Sequence, residues 1–355
     1  MTTASARQAM LGLLKIAQDK NASDLHIIEG RPPVFRIDGD IAFMESQPLD
    51  NEDTKALVYS ILNETQIKKF EADWELNLSM TLDEIGRFRI AVYYQKGTIE
   101  ASIRIVPREI PAIEELKLPE IVKDLARKPN GLILITGPTS SGKTTTFNSI
   151  IDFINKERRA KIITVEDPIE YVHSHKKSIV IQQEVYSDVK SFSSALHHIL
   201  RQNPDVIGIG EMRDTETIAA TLTAAETGHL VIATLHTNDA VQTISRIIDV
   251  FPPHQQEQVR IQLSSTLQGI LSQMLLQQVG GGRALAIEIL TAVQAVRHQI
   301  RESKIAGIYS SIQTGLNQGM QTMDRCIRNL YQEGQITYAT AMSKIKDPKE
   351  LTQGK

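Results

Sequence analysis

The stretch from 132 to 146 limits the possible folds more than any other part of the chain. The apolar run LILIT at 132–136 leads directly into GPTSSGKTTT at 137–146, and Phe147, Ile150, Ile151 and Ile154 then recur at helical spacing. A buried strand, a glycine-bearing loop and an amphipathic helix in immediate succession predict a strand–loop–helix corner. Gly137, Gly142, Lys143 and Thr144 fit G-x-x-x-x-G-K-[ST], so Gly137, Pro138, Thr139, Ser140, Ser141, Gly142, Lys143, Thr144 and Thr145 form a candidate phosphate loop. In such a loop backbone N–H groups wrap the phosphates, the lysine reaches the β/γ oxygens and the threonine hydroxyl ligates Mg2+. The expected ligand is a nucleoside triphosphate, its phosphates meeting a helix N-terminus.

Further apolar runs extend this corner into a sheet. KIITV (161–165), DVIGIG (205–210) and LVIATL (230–235) are nearly continuous, as parallel strands covered on both faces are. Helices lie between them; in one, Phe192, Ala195, Leu196 and Ile199 form the buried stripe. One more strand, the alternating ALAIEIL at 284–290, precedes polar, mostly helical sequence to an end that looks frayed at LTQGK. The expectation is an α/β core of the P-loop NTPase kind over 120–290, with a helical region over 291–355. Residues 1–107 read as a smaller α+β domain. There RFRIAVYY puts Phe88, Ile90, Val92 and Tyr94 on one strand face, IEASIRI repeats the pattern, and Arg87, Arg89 and Arg104 fall on the opposite face. The three prolines of PREIPAIEELKLP suggest a linker over 108–119.

Sites in open α/β sheets lie beyond the carboxyl ends of the strands, so the residues that follow each strand are the candidates. Glu166, Asp167 and Glu170 follow KIITV, Glu211 follows DVIGIG, His236 follows LVIATL, and His229 stands just before that last strand. A Mg2+-nucleotide hydrolase needs a carboxylate at the metal and a group that polarises water. Glu211 takes the metal side with Thr144, and Glu166 the water, although the sequence leaves the two glutamate roles exchangeable. His236 is either a γ-phosphate contact, which its strand-end position favours, or a hydrogen-bonded core histidine. The arginine row either covers the nucleotide and adds γ-phosphate charge or is simply solvated. His173, His175, His197 and His198 lack a ligand cluster and read as solvated.

Length and composition exclude several classes. A chain of 355 residues suggests about two domains. A net charge of −3 with 5% aromatic residues argues against a nucleic-acid channel. No apolar run approaches the ~20 residues of a spanning helix, and no signal pattern opens the chain, so a cytoplasmic protein without membrane insertion is expected. The lone Cys326 cannot form an internal disulfide and reads as a small buried side chain.

With these boxes in view, the chain resembles the secretion and pilus ATPase superfamily, and within it the type IV pilus retraction (twitching motility) ATPases of the PilT type. The resemblance is carried by SDLHI (23–27), RPPVFRIDG (31–39), RFRIAVYYQKG (87–97), GPTSSGKTTT, ITVEDPIEYV (163–172), RQNPDVIGIGEMRDTET (201–217), TGHLVIATLHTNDA (227–240) and GMQTMDRCIRNLYQEGQIT (319–337). It implies a homohexameric ATP hydrolase with Mg2+, each protomer having an N-terminal PAS-like domain and a RecA-like domain with ATP between them. By the same resemblance Glu166 lies in the aspartate box, Glu211 in the Walker B box, His229 and His236 in the histidine box, and Arg87, Arg89 and Arg104 match arginines that approach the phosphates. The implied setting is the cytoplasmic face of the inner membrane, docked on the pilus platform protein and sometimes paired with a paralogous retraction ATPase. The related pilus-assembly and type II secretion ATPases usually carry a further N-terminal domain and a Cys-x-x-C module, which ranks them second; a RecA-like nucleic-acid motor ranks lower. Three positions depart from the family pattern. Ser140 replaces a loop glycine, Lys96 stands where arginine is frequent, and AVRHQIRE (295–302) brings Val296, His298 and Gln299 into a segment tied to retraction.

Overall fold

The computed structural model describes residues 3–351 apart from Asp38, Asp83, Glu84 and Arg108. The expected frayed end therefore lies mostly at 352–355, outside the described residues, while Leu351 is buried. Two compact units divide the chain: one runs to Glu109 and includes Glu170–Val172, and the other takes Ile110–Ile169 and His173 onward.

The N-terminal unit runs α1 (Thr3–Asp19), β1 (Asp24–Ile27), β2 (Val34–Ile37), β3 (Asp40–Phe43), α2 (Asn51–Tyr59), α3 (Glu64–Asp73), β4 (Glu75–Leu82), β5 (Gly86–Gln95) and β6 (Thr98–Ile105). Its six strands form an antiparallel sheet in the order β3-β2-β1-β6-β5-β4. The period-two pattern works as the residues dictate: Phe88, Ile90 and Val92 are buried with Ile99, Ala101 and Ile103. Tyr94 is the exception, left partly exposed but stacked on Phe70 at 4.9 Å. Lys96 and Gly97, both at positive φ (51° and 87°), close the β5–β6 hairpin in a turn whose twist matches the strands.

The second unit runs α4 (Ile121–Ala126), β7 (Gly131–Thr136), α5 (Lys143–Glu157), β8 (Lys161–Glu166), β9 (Ile179–Glu184), α6 (Phe192–Ile199), β10 (Val206–Ile209), α7 (Thr215–Glu226) and β11 (Leu230–Leu235). It continues through α8 (Ala240–Asp249), α9 (Pro253–Thr266), β12 (Leu267–Gln277), β13 (Arg283–Thr291), α10 (Gln294–Arg301), α11 (Ile308–Thr314), α12 (Met323–Gln332) and α13 (Tyr338–Met342). Its seven-stranded sheet has the order β13-β12-β7-β11-β10-β8-β9, parallel except where β13 returns against β12. Alternate side chains feed opposite cores. Leu132 and Leu134 pack with α6 to α10, whereas Ile133 and Ile135 pack with α4, α5 and α12. Burial on both faces is why these strands read as unbroken apolar runs.

Two strands escape the sequence patterns. β9 contributes IVIQQE, and β12 mixes Gln268, Ser272 and Gln273 with leucines, so neither alternation nor a continuous run marks them. The polar residues of β12 are partly paired: Thr136 Oγ1 donates to Ser272 Oγ at 2.9 Å, and Gln273 Nε2 donates to Thr146 Oγ1 at 2.8 Å, while Gln273 Oε1 is buried without a partner. Where the prolines suggest a linker over 108–119, the units part between Glu109 and Ile110, and Ile113 and Leu118 are buried against the second core. Among the described residues no helix is long and apolar enough to cross a membrane.

Candidate active site

The loop between β7 and α5 is built on backbone conformations that only particular residues permit. Gly137 has φ +146°, and a Cβ there would stand 2.3 Å from the Gln273 carbonyl oxygen and 2.5 Å from Ser141 Oγ. Gly142 (φ +88°) opens α5 without a side-chain cap, leaving its first N–H groups for another acceptor. Ser140 takes φ +64° where a glycine would cost nothing. The restriction expected from losing that glycine is thus accommodated in the left-handed region.

Lys143, 8% exposed, donates from Nζ to the carbonyls of Gly137 and Pro138, both at 2.9 Å, and lies 3.4 Å from His236 Nδ1. Burial depresses its pKa, and the Glu211 carboxylate opposes that shift. His236 Nε2 is 3.1 Å from Glu211 Oε1, so the Nε2–H tautomer satisfies both neighbours, donating to the carboxylate and accepting from the ammonium. Glu211 Oε2 in turn meets Arg213 Nε at 2.8 Å, and Arg213 Nη1 lies 3.8 Å from Asp167. The Glu211 ion pair raises the Arg213 pKa further. A continuous polar line, Lys143–His236–Glu211–Arg213–Asp167, therefore crosses the carboxyl ends of β7, β11, β10 and β8. Glu211 is held in it by its own turn: Thr234 Oγ1 donates to the Gly210 carbonyl, and Met212 N–H to Thr234 O at 3.0 Å.

Glu166 ends β8, 2% exposed, its Oε1 accepting from Thr164 Oγ1 at 2.7 Å and Gln182 Nε2 at 3.0 Å. Gly210 lets the next turn pass closely, since a Cβ there would be 3.1 Å from Glu166 Cα. Thr144 is half-buried in the first turn of α5. Beside that turn a cavity of about 610 Å3 is lined by Gly142, Thr145, Thr146, Leu275, Arg283 and Ile287.

These residues fit a nucleotide phosphate. An uncapped helix N-terminus and a buried ammonium bonded to loop carbonyls and to one imidazole point into the loop, as does Ser141 Oγ, buried without a hydrogen-bond partner. Thr144 and Glu211 supply hard oxygen donors of the kind Mg2+ takes. Among the described residues no group of three His, Cys, Asp or Glu side chains gathers.

Not every candidate reaches this line. His229 precedes β11, at the edge of the sheet away from the loop; its carbonyl accepts from Gly131 N–H at 3.0 Å and its Nδ1 lies 3.0 Å from Ala224 O. Parallel register puts Leu230 beside Gly131 and Leu235 beside Thr136, so His229 and His236 are separated by roughly 20 Å of extended strand. Arg87, Arg89 and Arg104 belong to the N-terminal unit. Arg87 Nη1 donates to Thr81 Oγ1 at 3.1 Å, Arg104 Nε pairs with Asp24 at 3.1 Å, and the exposed Arg89 faces Arg104 across the β5–β6 ladder. His197 and His198 are exposed as expected, but His173 is not solvated: its ring is buried against α5, with Nε2 2.8 Å from Asn148 Oδ1. Arg213 lies in the Glu211-Met212-Arg213-Asp214 run that follows DVIGIG, whereas Thr164 and Gln182 are not among the sequence candidates; of these two only Thr164, two residues before Glu166 on the same strand face, carries a signal.

An open, mainly parallel sheet with a phosphate loop at its carboxyl edge and acidic residues at the ends of the neighbouring strands defines a P-loop NTPase with a RecA-like core. The family model described as type II/IV secretion system protein matches residues 6–339, and the chain belongs to that family. It is 45% identical over 339 residues to the type IV pilus retractation ATPase PilT of Pseudomonas aeruginosa, covering 96% of this chain and 98% of that one. It is 41% identical to the twitching motility protein of Neisseria gonorrhoeae, over 97% and 92% of the two chains. A crystal structure of the pilus retraction motor PilT with bound ADP superposes with a TM-score of 0.91 at 49% identity, covering 97% of this chain and 99% of that one.

Proposed function

We propose that the chain hydrolyses ATP to power retraction of type IV pili, and with it twitching motility, as a homohexamer docked on an inner-membrane platform protein, alone or beside a paralogous ATPase. The observation that carries this reading is the end-to-end likeness to PilT, at 45% identity through both units and the helical C-terminal region. In domain terms this is a PAS-like 1–107, a connecting 108–119, a RecA-like 120–290 and a helical 291–355.

Each residue then has a task. Lys143 exchanges the Gly137 and Pro138 carbonyls for β/γ-phosphate oxygens, and the uncapped N–H groups of α5 receive the phosphates. The neighbouring cavity takes the nucleoside. Mg2+, when bound, neutralises developing charge on the phosphates, with Thr144 and Glu211 as its protein donors. Glu166, oriented by Thr164 and Gln182, polarises the attacking water. His236 links the Lys143 charge to Glu211, and Arg87, Arg89 and Arg104 supply further positive charge to a nucleotide. His229, remote from its own loop, has no task in this scheme.

Phosphate release by the purified chain with ATP and Mg2+ tests the site. Lys143→Ala should lower turnover by on the order of 100-fold or more, because the buried positive charge at the developing anion is lost. A variant that keeps the wild-type rate would show that the loop does not hold the reacting phosphates.

A further inference from the structure

One face of α5 is polar where the core would be expected to be apolar. Asn148, Asp152 and Asn155, at i, i+4 and i+7, are 0%, 3% and 0% exposed, on the same helix as the buried Phe147, Ile150, Ile151 and Ile154. Buried amides and carboxylates are costly unless partnered. Here the partners come mainly from one short segment, 173–178. His173 Nε2 meets Asn148 Oδ1 at 2.8 Å, Lys176 Nζ meets Asp152 Oδ1 at 2.5 Å, and Asn155 donates to Ser174 O at 2.8 Å while accepting from Lys176 N–H at 3.1 Å. Lys156, one turn on, adds a second ammonium to Asp152 at 2.8 Å.

The first of these contacts leads to the phosphate loop. Asn148 Nδ2 donates to the carbonyl of Thr144 at 2.9 Å, beyond the helical hydrogen bond that carbonyl already accepts. That bond fixes the amide's orientation: NH2 toward Thr144, Oδ1 toward the imidazole. His173 must then carry its proton on Nε2. Its Nδ1, buried, makes no hydrogen bond and stands 3.9 Å from Asp152 Oδ1. A neutral ring fits this arrangement, and burial, assisted by Lys176, lowers the pKa to about 4 against the pull of Asp152.

We infer that His173 and Asn148 are positioning residues for the phosphate loop: the imidazole holds the amide, and the amide holds the first turn of α5 by its Thr144 carbonyl. The inference rests on the nucleotide reading of that loop. Thr144 offers a hydroxyl to the metal side of the site, and small displacements of such groups cost far more in turnover than in binding. An apolar residue of similar size at 173 would fill the space and still lose the relay.

The test compares His173→Leu, His173→Gln and Asn148→Asp in the full chain, reading kcat and KM for ATP, thermal unfolding, and backbone amide exchange over 141–150 without nucleotide. His173→Leu should lower kcat by on the order of 10-fold with KM changed less than about two-fold, and should speed exchange in the first turn of α5. His173→Gln, whose Nε2–H can replace the imidazole donor, should restore most of both. Asn148→Asp, lacking the donor to Thr144, should behave like the leucine variant and carries the test if that variant does not fold. Wild-type kcat and wild-type exchange in Asn148→Asp, or a leucine variant that loses only melting temperature, would overturn the relay. If the wild-type chain proves unable to hydrolyse ATP, the functional reading fails, while the exchange rates still decide whether His173 holds the first turn.

Discussion

At Ser140 the backbone enters the left-handed region, φ +64°, where a β-carbon costs an ordinary residue about 1 kcal/mol. Gly137, three residues earlier, cannot make that substitution, because the Gln273 carbonyl occupies the space a Cβ would need. The same loop thus contains one replaceable glycine position and one that is not. His173 shows a second effect legible only in three dimensions. Its folded-state pKa is depressed to about 4 by burial, whereas the unfolded chain titrates near 6.5. As pH falls the unfolded state binds the proton first, so this contribution is complete above about pH 6.5 and is lost progressively down to about pH 4. The loss is on the order of a few kcal/mol at most. Asp152, held below the usual carboxylate range by Lys156 and Lys176 against its burial, contributes in the same direction, but its contribution is lost only at still lower pH. Denaturant unfolding at pH 7.5 and 5 should therefore show a clear drop in the wild type and a smaller one in His173→Gln; equal drops would contradict a buried neutral imidazole. Sequence alone left His173 among the solvated histidines, since nothing in HSHKKS marks the ring that turns inward.

Among the elements, α7 begins with a side-chain cap close to a candidate site residue. Asp214 caps it, accepting from Thr217 N–H and Thr217 Oγ1, each at 2.8 Å, three residues after Glu211. Asp214→Ala should cost about 1 kcal/mol and lower the melting temperature, with an unchanged melting temperature counting against the cap. The parallel strands of the second unit were legible because burial on both faces produces uninterrupted apolar sequence. β12 was not, because its polar residues are buried against partners far along the chain: Ser272 against Thr136 and Gln273 against Thr146. β13 misled differently. Its alternation predicts one wet face, yet Glu288 is 1% exposed, its carboxyl kept high by burial while Oε1 accepts the Ala240 N–H at 2.9 Å. Cys326, as its sequence suggests, is a buried small side chain, its thiol pushed up by burial.

For the molecule as a whole, the reading to test is direction of work. Deleting the gene should leave cells with many surface pili and no twitching, counted by electron microscopy and scored on agar; bald cells would instead assign the chain to assembly. The sequence by itself determined the phosphate loop, the strand-end acids Glu166 and Glu211, the parallel core and the likeness to retraction ATPases. These are local matters: a loop's chemistry and a strand's burial are written in contiguous residues. Only the tertiary structure decided that His236 spans Lys143 and Glu211 while His229 stands at the opposite end of the same strand, and that His173 faces α5. Those outcomes depend on strand register and on which side chain meets which across gaps of 25 to 107 residues, as in the Glu211 to Lys143 line (25 and 93 residues apart) and the Lys346–Asp239 bridge (107). Distances of that kind are set by packing the whole core at once, and no window of sequence contains them.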